Sequence, residues 1–101
     1  MNILSNIPQN LPAELIETLA SKENVRIERI VSRGHVSDDW YDQETNEFVF
    51  VVAGEAKIVF EDDDVPLHLK AGDYLSIVAH LRHKVVWTQP DVDTVWLAIH
   101  Y

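Results

Sequence analysis

From Asn24 to the end of the chain, short runs rich in Val, Ile, Phe and Trp are separated by turn residues, the pattern of an antiparallel sandwich or barrel. Strands are expected near 25–32, 46–53, 55–61, 65–70, 73–78, 83–89 and 93–100. Gly54-Glu55 and Ala71-Gly72-Asp73 read as tight hairpin turns between them. The segment Leu11 to Lys22 has another period. Leu15, Ile16, Leu19 and Ala20 recur at helical spacing, Pro12 suits a first helical turn and Glu14 lies early, which predicts a short helix packed on the barrel. The expected organisation is an N-terminal extension and helix over 1–23, then one β domain over 24–101.

Two strands break the alternation. Phe48 to Ala53 and Val95 to Ile99 are apolar on both faces, whereas a strand with water on one side would alternate. Phe48, Phe50 and Val52 therefore need a cover, either the predicted helix or a second subunit. The acidic run Glu61-Asp62-Asp63-Asp64 lacks the spaced ligands and central glycine of a calcium loop and reads as a solvated hairpin tip.

A chain of 101 residues has room for one core. Hydrophobic residues at 47% and charged residues at 25% are ordinary globular values, and no apolar run approaches the roughly 20 residues that cross a bilayer. The first ten residues carry neither the basic start nor the apolar stretch of a secretory signal, so a cytoplasmic location is expected. Without cysteine, thiolate metal sites, disulfides and Cys nucleophiles are excluded, and a metal would have to use His, Asp, Glu, Gln or Tyr. Eight basic and seventeen acidic side chains give 8 − 17 = −9, a field that repels nucleic acid and anionic lipid.

Glycine-anchored spacing carries the strongest signal. Gly34, five residues, Trp40-Tyr41-Asp42, four residues, Glu47, six residues and Gly54 make one segment; Gly72, five residues, Val78-Ala79-His80, two residues and His83 make another. The pair resembles the two motifs of the cupin family, G-x5-H-x-H-x4-E-x6-G and G-x5-P-x-G-x2-H-x3-N. The resemblance implies an all-β, antiparallel cupin jelly-roll barrel, which with the N-terminal segment would carry one short helix. Glu47 falls on the family's metal-binding glutamate, His83 on the metal-binding histidine of the second motif, and the three glycines on its turn glycines. Trp40 and Asp42 stand where the first motif has two histidines, Val78 and His80 where the second has its proline and glycine, and Trp87 in place of the asparagine.

The resemblance further implies a divalent ion (manganese, iron, nickel or zinc) held by Glu47 and His83, with Asp42, Gln43 or His35 completing the shell. Strand alternation puts Glu47, Val49 and Val51 on one face and His83, Val85 and Trp87 on another. If both faces point inward, these residues line a small-molecule pocket, with Trp40 and Tyr41 as aromatic wall. Tyr41, Tyr74 and His80 are candidate proton donors. His68 and His80 read as surface residues, and His100 as hydrogen-bonded packing beside Trp96 and Ala98. Three functions compete: a metal-dependent enzyme acting on a small molecule, a non-catalytic module for a sugar or organic acid, and a dimeric interaction protein. The expected assembly is a homodimer, since relatives commonly pair through such a sheet face.

Overall fold

The computed structural model describes residues 1–101 as eight strands and no helix. They are β1 (Leu15–Lys22), β2 (Val25–Ser32), β3 (Glu47–Ala53), β4 (Glu55–Phe60), β5 (Asp63–Lys70), β6 (Tyr74–Ile77), β7 (His83–Thr88) and β8 (Thr94–His100). Two antiparallel sheets result, one ordered β1-β2-β8-β3-β6 and the other β5-β4-β7. The seven strands expected from Asn24 onward are all present. No helix is long and apolar enough to cross a membrane.

The helix expected over Leu11 to Lys22 is instead strand β1, paired with β2 from Leu15↔Val31 to Lys22↔Val25. Glu23, at a φ of 47°, turns the chain between them. A bulge between Thr18 and Ala20 inserts Leu19 as an extra residue. The insertion breaks the two-residue strand period and leaves apolar residues at spacings that imitate a helix. A helix here would also have been marginal alone, while pairing with β2 satisfies its backbone. Ile16 and Leu19 remain 55% and 51% exposed, so no buried apolar stripe favours the helical alternative.

Gly54 and Ala71-Gly72-Asp73 do not close hairpins, because β3 and β4, like β5 and β6, belong to different sheets. They carry the chain from one sheet to the other. Gly54 has a φ of 84°, and a Cβ there would stand 2.6 Å from the Cα of Thr94. Only glycine tolerates that approach. Thr94 in turn accepts from the Glu55 amide and donates to the Glu55 carbonyl, fixing the crossover. The β4–β5 connection is a hairpin, with Glu61 and Asp62 at its exposed tip as the acidic run suggests.

The core lies between the sheets. Val49, Val51, Ile77 and Trp96 meet Ala56, Ile58 and Leu69 from across the sandwich. Burying each large apolar side chain stabilises the fold by roughly 1.5–3 kcal/mol before entropy is counted. On the other face of the larger sheet, buried Arg29 pairs with Glu17 and donates to the carbonyls of Ile3, Ser5 and Asn6, strapping the N-terminal segment across β2. Phe48 and Phe50 on the same face are half-buried, and Phe48 stacks on Tyr74 at 5.4 Å. No helix covers them.

Candidate functional site

A pocket of about 400 Å³ opens between the sheets. Its apolar wall comes from alternate residues of paired strands, among them Ile30, Val49, Ile58, Val85 and Trp96. Its polar groups are Glu28 within β2, Glu47, His83 and His100 at strand ends, and Tyr41, Gln43, Glu44 and Thr45 from the 41–45 segment. This segment is docked on β7 by two backbone hydrogen bonds between Tyr41 and His83. The Tyr41 and His83 rings lie 5.6 Å apart.

Glu47 begins β3 and His83 begins β7, on opposite sheets, and both are buried. His83 Nε2 stands 3.5 Å from Glu47 Oε1, and its Nδ1 lies 2.9 Å from the Leu81 carbonyl oxygen. A carbonyl only accepts, so Nδ1 carries a proton. Nε2 then faces a carboxylate oxygen, and a further proton between them removes the clash of lone pairs. Burial pulls the His83 pKa down, but the hydrogen bonds to Glu47 and Leu81 and the Glu47 charge outweigh it, leaving the value above the ordinary 6.5.

A second pair shares the pocket. His100 Nε2 is 3.0 Å from Glu28 Oε1, and both residues are buried. Glu28 Oε2 also accepts from Arg26 Nε at 2.9 Å, and His100 Nδ1 lies 3.5 Å from Thr45 Oγ1. His100 sits directly across from Glu47 in the β3–β8 register, which brings the two pairs to one end of the sandwich. Neither Glu28 nor this register is marked in the sequence. Only the shared strand face of Trp96, Ala98 and His100 hinted at it.

Two further groups have shifted affinities for protons. Burial raises the Glu14 pKa above 4.5, with the Glu47 charge adding to it, against the Ser32 hydrogen bond and nearby His35. Burial likewise raises Tyr41 above 10.0, opposed by a Ser37 hydrogen bond and reinforced by Glu14, Glu47 and Asp38. The phenol therefore stays protonated and able to donate.

Of the residues singled out from the sequence, Glu47, His83, Gln43, Tyr41, Val49 and Val85 line the pocket. Asp42 does not. It is exposed and pairs with His80 Nδ1 at 2.8 Å. His35 is also elsewhere, its Nδ1 accepting from the Arg33 amide and its carbonyl from Thr88. Trp40 lies outside the lining with Lys84 Nζ 4.4 Å from its ring centre, and Val51 is fully buried in the core. Trp87 shares no face with Val85, because a bulge in β7 pairs Lys57 with Trp87 but the next residue, Ile58, with Val85. The extra residue turns Trp87 toward Lys57 and His68 on the outside. His68 and His80 are exposed, as expected.

These residues do not make up the expected metal shell. No three His, Cys, Asp or Glu side chains converge anywhere in the chain. A catalytic ion ordinarily takes three protein donors. Glu47 and His83 contact each other, and the other carboxylate and imidazole expected to join them lie elsewhere; Gln43 remains, its Oε1 buried without a partner.

Known proteins supply the remaining context. The protein is similar to one from Ralstonia eutropha JMP134, provisionally named a mannose-6-phosphate isomerase, at 40% identity over 99% of this chain and 94% of that one, with a TM-score of 0.95. A cupin superfamily protein of Desulfitobacterium hafniense DCB-2 shares the fold at 23% identity, covering 93% and 82% of the two chains with a TM-score of 0.78. No curated protein matches. The cupin domain family matches residues 28–100, from the buried Glu28 to its partner His100, and the chain belongs to that family.

Proposed function

We propose that this cupin acts on a small molecule by proton transfer, with Glu47 and His83 as its working acid–base pair. One observation carries the reading: inside a pocket with an apolar wall, both ring nitrogens of His83 face acceptors, an arrangement that favours one proton more than a neutral histidine beside a carboxylate. Such a pair can give that proton to a bound substrate and take one back. Tyr41, protonated at the pocket's rim, is a second donor. The isomerase name of the Ralstonia relative agrees with proton-transfer chemistry, and we carry over only that class of reaction.

The test is a nuclear magnetic resonance titration of the His83 ring. The expected result is a doubly protonated ring near neutral pH, lowered toward an ordinary histidine in Glu47→Gln. A neutral ring at pH 6 would overturn the reading. Elemental analysis gives the metal alternative its chance: a stoichiometric ion lost in Glu47→Ala would replace the proton by a metal. The homodimer is proposed on the half-buried Phe48, Phe50, Leu97 and Ile99, which share the sheet face that no helix covers. Light scattering at a monomer mass would remove it.

A further inference from the structure

Every residue from Thr18 to Arg26 is exposed. They form the outer half of the β1–β2 hairpin, paired from Ala20↔Ile27 to Lys22↔Val25 and turned at Glu23. Both faces of this ribbon meet water, so it rests on its own ladder, and a two-stranded ribbon alone is marginal in water. Its residues also build the pocket. Ile16 and Arg26 line the cavity, Ile16 while 55% exposed, and Arg26 donates to Glu28. The outer wall of the pocket is therefore thinly supported by the domain itself.

Strand registers extend the ribbon across the outer face of the larger sheet. Ala20, Ile27, Ile99, Phe48 and Ser76 form one row, and Glu17, Arg29, Leu97, Phe50 and Tyr74 the next. Arg29 ties the N-terminal strap over one end of this face, and Val31 and Val95 there are 0% and 1% exposed. In the two rows, by contrast, no apolar residue is buried, and Tyr74 is 63% exposed. Charge does not oppose a second copy here: the chain carries −9, but the only charged residues in the rows are Glu17 and Arg29, and they pair with each other. Bulk is uneven. Phe48, Phe50 and Tyr74 crowd the β3–β6 edge, whereas the ribbon edge presents Ala20 and Ile27. The order β1-β2-β8-β3-β6 has β8 at its centre, so a two-fold axis along β8 lays the lean edge of each copy on the bulky edge of the other.

On the homodimer reading above, we infer that the β1–β2 ribbon is an arm lying across β3 and β6 of a second copy, which thereby holds the outer wall of the pocket. Assembly and pocket are then coupled, and separating the copies loosens Ile16 and Arg26.

The chain has no cysteine, so Ala20→Cys with Ser76→Cys supplies the only thiols for a cross-linking test. Within one copy the two positions stand four strand spacings apart, about 19 Å. Across the inferred contact they face each other at about 10 Å, the separation of packed sheets. A thiol cross-linker of about that 10 Å span is expected to give a covalent dimer from the double variant and none from either single variant. Amides from Thr18 to Arg26 should exchange with solvent at least about tenfold faster, relative to those of β4, once the protein is diluted to monomer. Three results overturn the inference and leave the homodimer standing: a dimer by light scattering that does not cross-link, a single variant that cross-links as well as the double, or a ribbon that exchanges equally in both states. A monomer at every concentration removes both.

Discussion

The two histidine–carboxylate pairs of the pocket have the same chemical groups and different unfinished business. Glu28 is saturated: one oxygen meets His100 and the other Arg26, while the second nitrogen of His100 faces a threonine hydroxyl that can donate or accept. A neutral imidazole satisfies every contact there. His83 has a carbonyl on one nitrogen and a carboxylate on the other, at 2.9 and 3.5 Å, and can satisfy both only by holding an extra proton. The closer pair with complete partners is built to hold strands together. The looser one is left with a proton to move.

Stability should separate them most strongly. Glu28→Ala strands two partners, buried His100 and the Arg26 guanidinium, and is expected to cost about 3 kcal/mol in urea unfolding. Glu47→Ala breaks one long contact and should cost about 1 kcal/mol. For small-molecule turnover the order reverses, with Glu47→Ala losing at least about a hundredfold by removing acid–base catalysis. Equal stability losses would mean that the two pairs do not differ in role.

The pH dependence of stability is a smaller effect with a definite sign. His83 is raised above 6.5 in the folded state, so its contribution is complete below about pH 6.5 and is lost as the pH climbs through the higher folded value. Glu14 is also raised, from 4.5, so its buried protonated form favours the fold at low pH and this gain too is lost on the way up. Unfolding free energy should therefore fall with rising pH above 6.5, and His83→Gln should flatten that slope. His100→Gln should lower stability by removing the partner of buried Glu28.

The Glu47–His83 pair was legible in the sequence, and the Glu28–His100 pair was not. Glu47 and His83 sit at fixed distances from Gly54 and Gly72, and they begin β3 and β7 on facing sheets. Their meeting follows from local spacing. Glu28 and His100 stand at opposite ends of the matched region and meet only through the β2–β8 register, which no local pattern records. Bulges account for two other misreadings: Leu19 gives a strand a helical spacing, and the extra residue before Trp87 turns that ring outward. Strand positions from Val25 to His100 were readable because Val, Ile and aromatic runs ended at turn residues; an inserted residue changes which way a side chain faces without changing where the strand lies.

The smallest effect belongs to the 41–45 segment, which docks beside the looser pair. Gln43 Oε1, buried and unpartnered, costs stability as it stands, since an amide oxygen taken from water without a donor loses on the order of 1 kcal/mol or more. Gln43→Met keeps most of the volume and removes the polar atom, so unfolding free energy should stay level or rise by up to about 1 kcal/mol. Thr45→Val beside His100 removes a hydroxyl that has a neighbour, at the long distance of 3.5 Å, and should cost a few tenths. A gain at position 43 would mean that the buried amide oxygen has no partner in solution either. A clear loss of stability instead would mean that Gln43 already has its partner in solution, and the asymmetry between the pairs would then reduce to the proton on His83.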